Sequence, residues 1–164
     1  MKTFSAPWSG LLKAVSGVAT VICLGIVSMH PVWGGKVPLP VIILSEVLPL
    51  AVLAACALFI VRGYMITPDA ILVKRLFWNT RLPRVGLESA TYSPEATQGS
   101  VRTCGNGGLY SFTGWYWNHG LGRYRAYVTD HAKVVVLKYP ESTIVLSPGD
   151  PAGFVAAVTE RENC

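Results

Sequence analysis

The sequence predicts a two-helix transmembrane hairpin followed by a mainly β domain of about seven strands that closes with one C-terminal α-helix. Residues 37–61 read VPLPVIILSEVLPLAVLAACALFIV, with one charge, and stop at Arg62; about 20 mostly apolar residues suffice to cross a bilayer as a helix. A second apolar run, residues 14–33, lies just upstream. After Gly63 the pattern turns to short apolar runs broken by turn residues, which is strand patterning.

Composition agrees with this division. The chain is 51% hydrophobic and only 14% charged, with a mean hydropathy of +0.42, too apolar for an ordinary soluble domain. The excess sits in the two runs, so residues 1–62 read as a membrane anchor and residues 63–164 as one small domain with its own core. The net charge of +5 is dispersed: three basic and one acidic residue up to Val61, eleven and eight beyond. No face of clustered Lys and Arg is visible, which argues against a nucleic-acid partner. Cys23, Cys56, Cys104 and Cys164 show no zinc or disulfide spacing and read as free thiols in a reducing compartment.

In the anchor, helices are expected over about residues 12–32 and 38–61. Lys2 and Lys13 before an apolar run resemble a secretory signal, but Ser28-Met29-His30-Pro31 offers no small-x-small cleavage site and a second span follows at once. The link between the runs holds only Lys36, whereas Lys2, Lys13, Arg62, Lys74, Arg75, Arg81 and Arg84 flank the other ends. That bias puts both termini in the cytoplasm, with Trp8 and Trp33 at the two interfaces. Glu46 is the ionisable group inside a span and so a candidate intramembrane polar site, yet it lies only about 9 Å from a helix start near Pro40. There it can reach headgroups or meet His30, so an interfacial role and ion or proton handling both stay open. Pro49 frees a carbonyl one turn earlier and favours a kink.

In the domain, strands are expected over 64–66, 71–75, 76–82, 87–92, 109–117, 123–128, 133–139 and 143–146, a spacing that suits a barrel or sandwich. Alternation along 123–128 places Tyr124, Ala126 and Val128 on a buried face and the arginines on a wet one. Asp150 can cap a helix whose first position is Pro151 and whose apolar stripe is Phe154, Val155 and Val158. Gly105-Asn106-Gly107-Gly108 lacks a P-loop ending and reads as a tight turn.

Residue detail then points to a family. The run GNGGLYSFTGWY at 105–116, LGRY at 121–124, Thr129-Asp130, and VLSPGDP at 145–151 with Phe154-Val155 together resemble the bacterial PH domain family, whose members commonly follow one or two membrane spans. The resemblance covers roughly residues 64–158. It implies a PH-like barrel tethered to the bacterial inner membrane, non-enzymatic, with no catalytic residues and no cofactor to carry over.

The expected function is therefore a membrane-anchored module presenting a cytoplasmic surface to a protein partner or to the membrane itself. The alternative is an accessory or regulatory subunit of a membrane transport or membrane-enzyme complex, acting through Glu46 and the hairpin. Partners are the bilayer and an unidentified protein, with self-association open. Arg62, Lys74, Arg75, Arg81 and Arg84 are candidate headgroup contacts, although the orienting bias alone would also produce them. Phe112, Trp115, Tyr116 and Trp117 are candidate partner contacts; Trp115 and Trp117 share one face and Tyr116 with Phe112 the other. Either pair can be the outward, binding group, and the tryptophan pair is the one favoured as inward and structural.

Overall fold

The computed structural model describes residues 1–28 and 38–160. In order, it contains β1 (Lys2–Ser5), α1 (Gly10–Ser28), α2 (Leu39–Leu58), β2 (Gly63–Ile66), β3 (Ala70–Lys74), β4 (Asn79–Pro83), β5 (Ser89–Tyr92), β6 (Val101–Gly107), β7 (Phe112–Asn118), β8 (Gly122–Val128), β9 (Val135–Tyr139), β10 (Ser142–Leu146) and α3 (Pro151–Thr159). The predicted sequence of two long apolar helices, a sheet-rich domain and a final helix is present. The count is ten strands rather than about seven, and they form two sheets, β1-β2-β3-β4 and β5-β9-β10-β8-β7-β6, with no ladder joining them among the described residues.

Both long helices leave nearly all their apolar side chains facing outward, so neither is the core helix of a soluble fold. α2 is interrupted by a π-helical turn at Ile43–Val47, where the Leu48 amide reaches back to the Ile43 carbonyl. Pro49 brings no amide to the ladder, and a wider turn just before it is one way to absorb the mismatch.

β1 is the feature that the sequence reading lacked. Lys2–Ser5 pairs antiparallel with β2, Phe4 opposite Tyr64 and Ser5 opposite Gly63. The helical hairpin therefore departs from and returns to two neighbouring strands of one sheet. At Gly63 a Cβ would meet the Phe4 carbonyl oxygen at 2.7 Å, so the close approach of the two strands depends on a residue without a side chain.

One core lies between the sheets, built from Ile66, Ile71, Val73, Leu82, Tyr127, Leu137 and Leu146 and capped by Phe154 of α3. Phe154 is fully buried and meets Phe4 and Tyr64 edge-on, with ring centroids 5.2 and 6.1 Å apart. The helix starts where expected: Asp150 accepts the Gly153 amide at 3.0 Å and Pro151 fills the first turn. A second core covers the opposite face of the larger sheet, with Tyr116, Tyr124, Ala126, Val128 and Val145 under Ala96 and Phe112. Hence β8 is not buried on one face and wet on the other. Tyr124, Ala126 and Val128 are buried as predicted, but Tyr127, on the arginine face, is also buried because the smaller sheet covers that end.

The sheets are tied by one buried phenol. Tyr64 Oη donates to the Tyr127 carbonyl at 2.6 Å and accepts the Ser147 amide at 3.1 Å, while Ser147 Oγ accepts the Thr129 amide at 2.8 Å. Burial pushes the Tyr64 phenol up to about 12, the partial counter-effects being its bonds to Ser147 and the charge of Arg75.

Tyr64→Phe leaves a buried carbonyl and a buried amide without that partner, a loss of about 1–3 kcal/mol that chemical denaturation of the detergent-solubilised chain will show. Because the fold favours the protonated phenol, its contribution is complete below pH 10 and declines as pH rises from 10 toward 12; the Phe variant should lose part of that alkaline slope.

Candidate functional site

The domain edge nearest the end of α2 carries an aromatic rim. Phe59, just past α2, packs edge-on against Trp78 at 5.5 Å, and the β3–β4 connection presents Leu76, Phe77 and Trp78, with Phe77 74% exposed. On the α1 side, Trp8 and Tyr110 rings lie 6.1 Å apart. Tyr110 is fastened to α1 by a bond from its amide to Ser16 Oγ at 2.9 Å and a hydroxyl contact with Thr20 at 2.7 Å. Tyr110 adopts φ +65°, an uncommon value for a residue with a side chain. Aromatic side chains of this amphipathic type favour the headgroup level of a bilayer. The sequence pattern predicts a strand from residue 76; the strand begins only at Asn79, and the three apolar residues before it are a loop.

From this rim a ladder of alternating cations and rings runs along the sheet. The Arg75 guanidinium lies 5.4 Å from the Phe59 ring, 6.0 Å from Trp78 and 5.1 Å from Tyr127. Arg125 lies 5.3 Å from Tyr127 and 5.8 Å from Trp115, and Arg123 sits 4.4 Å over Trp115. Strand register explains the order, since Trp115 opposes Arg125 and Trp117 opposes Arg123 across β7 and β8. Each such contact contributes about 0.5–1 kcal/mol where exposed and up to about 2 when dry. Among the described residues none of these arginines has a carboxylate partner; the ion pair present there is the exposed Lys2–Glu160 contact at 2.8 Å.

The predicted basic set is not one patch. Arg75 points inward and is 7% exposed, Arg62 and Arg81 are exposed, and Lys74 is half-buried. Lys74 pairs in register with Gly63, close to the end of α2, and Arg81 with Leu72 further along. Arg84 stands at the opposite end of the β3–β4 hairpin, where its amide bonds the Asp69 carbonyl and its guanidinium holds the carbonyls of Thr67 and Val158. Glu46 falls inside the π turn of α2 and is half-buried. His30, its expected companion, lies outside the described residues.

For the aromatic strand the inward pair is corrected. Tyr116 is 7% exposed, stacks on Tyr124 at 5.9 Å and donates to the Asn106 carbonyl at 2.7 Å; Phe112 packs on the same core. Trp117 is 41% exposed, and Trp115 is half-buried under the arginines. Alternation gave the two sets correctly but not their direction, because the segment over Tyr116, held by Asn118 Nδ2 bonding the Ala96 carbonyl at 2.8 Å, lacked a visible apolar signal. Gly105 and Gly107 belong to β6, an edge strand, and not to a turn. Gly105 opposes Gly114 at φ +118° and +138°, where a Cβ on either would meet the facing backbone.

These features define a sheet-rich domain that follows two long apolar helices. Residues 62–162 match the bacterial PH domain family, and the chain belongs to that family, as its resemblance implied. PH-like domains are generally binding modules without enzymatic activity. The match begins at Arg62, so β1 lies outside it although it completes the smaller sheet. No curated protein and no solved structure matches the chain.

The corrected orientation has a direct test. Tyr116→Ala should destabilise the chain by about 3–5 kcal/mol, as for deletion of a buried aromatic ring, whereas Trp117→Ala should change stability by less than about 1 kcal/mol. Thermal or chemical unfolding of the solubilised chain distinguishes them.

Proposed function

We propose that this protein is a membrane-anchored PH-like module that faces the cytoplasm and presents the outer face of β7 and β8 to a protein partner. The observation that carries the reading is the exposure of Trp117 beside half-buried Trp115, with Arg123 and Arg125 stacked on the latter, on strands whose reverse side is core. Trp and Arg on a rigid, well-packed support are the residue types that dominate protein interfaces. Anchoring is supported by the two outward-facing apolar helices and by the aromatic rim at the level where α2 ends. With β1 and β2 neighbours in one sheet, a hairpin that spans the bilayer returns to the side from which it left. The Lys and Arg bias selects the cytoplasm for that side.

Orientation is tested with Cys104, which is exposed on β6. In a chain whose other cysteines are replaced by serine or alanine, a membrane-impermeant maleimide should leave Cys104 unlabelled in intact cells and label it after permeabilisation. Labelling of intact cells would reverse the orientation.

For the partner, Trp115→Ala with Trp117→Ala should abolish co-purification of the bound protein from native membranes while the unfolding midpoint stays within a few degrees. Undiminished recovery with the double variant would move the binding surface elsewhere. A second reading, a subunit of a membrane transport or membrane-enzyme complex, is favoured by the π turn around Glu46, since such turns are frequent at functional sites. Under it, Glu46→Gln removes the cellular phenotype and the double tryptophan variant does not.

A further inference from the structure

Strands β6, β7 and β8 carry Arg102, Arg123 and Arg125 and not one Asp or Glu. Arg102 stands opposite Tyr116, on the side turned to the second core. Arg123 and Arg125 are on the outer side, opposite Trp117 and Trp115 in turn, and both are exposed. From β6, Val101 opposes Trp117 and is likewise exposed. The β7–β8 turn adds His119, whose ring meets Trp117 edge-on at 4.7 Å. The outer face is thus an apolar corner of Val101, Trp117 and His119 with two guanidiniums beside it.

Those guanidiniums share one support. They lie 4.4 and 5.8 Å from the centroid of the same Trp115 ring, and neither meets a carboxylate among the described residues. Stacking uses the flat face of a guanidinium and leaves its edge donors open, and a carboxylate accepts two parallel bonds from such an edge. Two like charges held on one ring repel each other, which an anion between or above them relieves. Spacing adds a second constraint. Arg123 and Arg125 are two positions apart on one strand, about 6.6–7 Å, which is also the separation of alternate side chains in any extended segment. Two cations are too few to hold a nucleic-acid backbone, and the indole beside them calls for an apolar side chain in line with the anions, which a peptide supplies.

We propose that the occupant of this face is an extended acidic peptide segment, with carboxylates at two alternate positions on the edge donors of Arg123 and Arg125 and an apolar side chain at the next alternate position against Trp117, Val101 and His119. This rests on the reading that β7 and β8 present their outer face to a protein, and it specifies the chemistry of that protein.

The test uses the full chain in neutral detergent micelles over an immobilised peptide, Leu-Ser-Glu-Ser-Glu-Ser-Leu, read by biolayer interferometry, with the unfolding midpoint followed in parallel. The chain should bind saturably and lose affinity as salt is raised. The same peptide with Gln for Glu, and Leu-Ser-Ser-Glu-Glu-Ser-Leu, whose adjacent acids point to opposite sides, should each bind about tenfold more weakly, the combined effect of two exposed charge pairs. Arg123→Gln with Arg125→Gln should weaken binding by a similar factor, whereas Arg62→Gln with Arg81→Gln, the same loss of charge at exposed positions of the smaller sheet, should leave it within about twofold. Should the first double variant unfold, Trp117→Ala and the two control peptides still decide. Equal affinity for the three peptides, an equal loss in both double variants, or displacement of the bound peptide by phosphatidylglycerol at equal concentration overturns the proposal, the last by assigning the face to the membrane. Where the acidic peptide fails but Trp115→Ala with Trp117→Ala still abolishes co-purification of the native partner, the acidic chemistry falls and the partner face stands. Where that variant also keeps the partner, the face itself falls.

Discussion

The pairing of β1 with β2 is the constraint on which the rest depends. Only residues 6–9 separate β1 from α1, and only residues 59–62 separate α2 from β2. Paired strands lie roughly 4.8 Å apart, so the two helices are pinned where they enter the domain and have no flexible tether on which to turn. Ser9 donates its amide to the Thr129 carbonyl at 3.1 Å, and Thr129 Oγ1 donates to the Pro7 carbonyl at 2.9 Å, fixing the first connection to the larger sheet. The second is fixed by Arg75 and Ser111, both donating to the Phe59 carbonyl. Helices and sheets are therefore oriented together.

What the sequence made legible follows from how strongly each element is buried. β8, β9 and β10 carry near-continuous apolar or alternating runs because they sit between two cores, and their periodicity is plain in the residues. The helix at Pro151–Thr159 has both a side-chain cap and a proline start, two local signals that agree. β1 and β6 are edge strands and obey different rules. KTFS has one apolar residue, and VRTCGNG has two glycines and mostly exposed side chains, so neither shows the apolar repeat by which a strand is recognised. Edge strands are also where bulges and glycines are tolerated, which is how a glycine-rich stretch expected to turn came to be part of a ladder.

The side chains of the candidate site were less legible because their environment depends on contacts across strands and between sheets. Arg75 reads as one more flanking cation until the packing of the two sheets places it against Tyr127, and Tyr127 reads as a residue of the wet arginine face until the smaller sheet covers it. Nothing local distinguishes Arg75 from Arg81, yet one is buried against three rings and the other is exposed. Stacking makes such burial tolerable without a carboxylate nearby, since a guanidinium sheds water more readily than an ammonium. A lysine at the same position would keep the charge and lose both the stacking and the planar bond to the Phe59 carbonyl.

Burial changes from one end of the ladder to the other along β8. From Tyr127 to Arg123 is four residues, about 13 Å at strand rise. At the inner end Arg75 and Tyr127 are buried beside Phe59, just past α2, while at the outer end Trp117 is exposed. The inner end is therefore kept dry by the packing of the two sheets, and the outer end leaves an indole in solvent opposite Arg123. Arg125 belongs to both ends, touching the Tyr127 ring on one side and Trp115 on the other. A single row of side chains thus runs from the end of α2 to an exposed tryptophan, and the short connections to α1 and α2 hold that row against the helices.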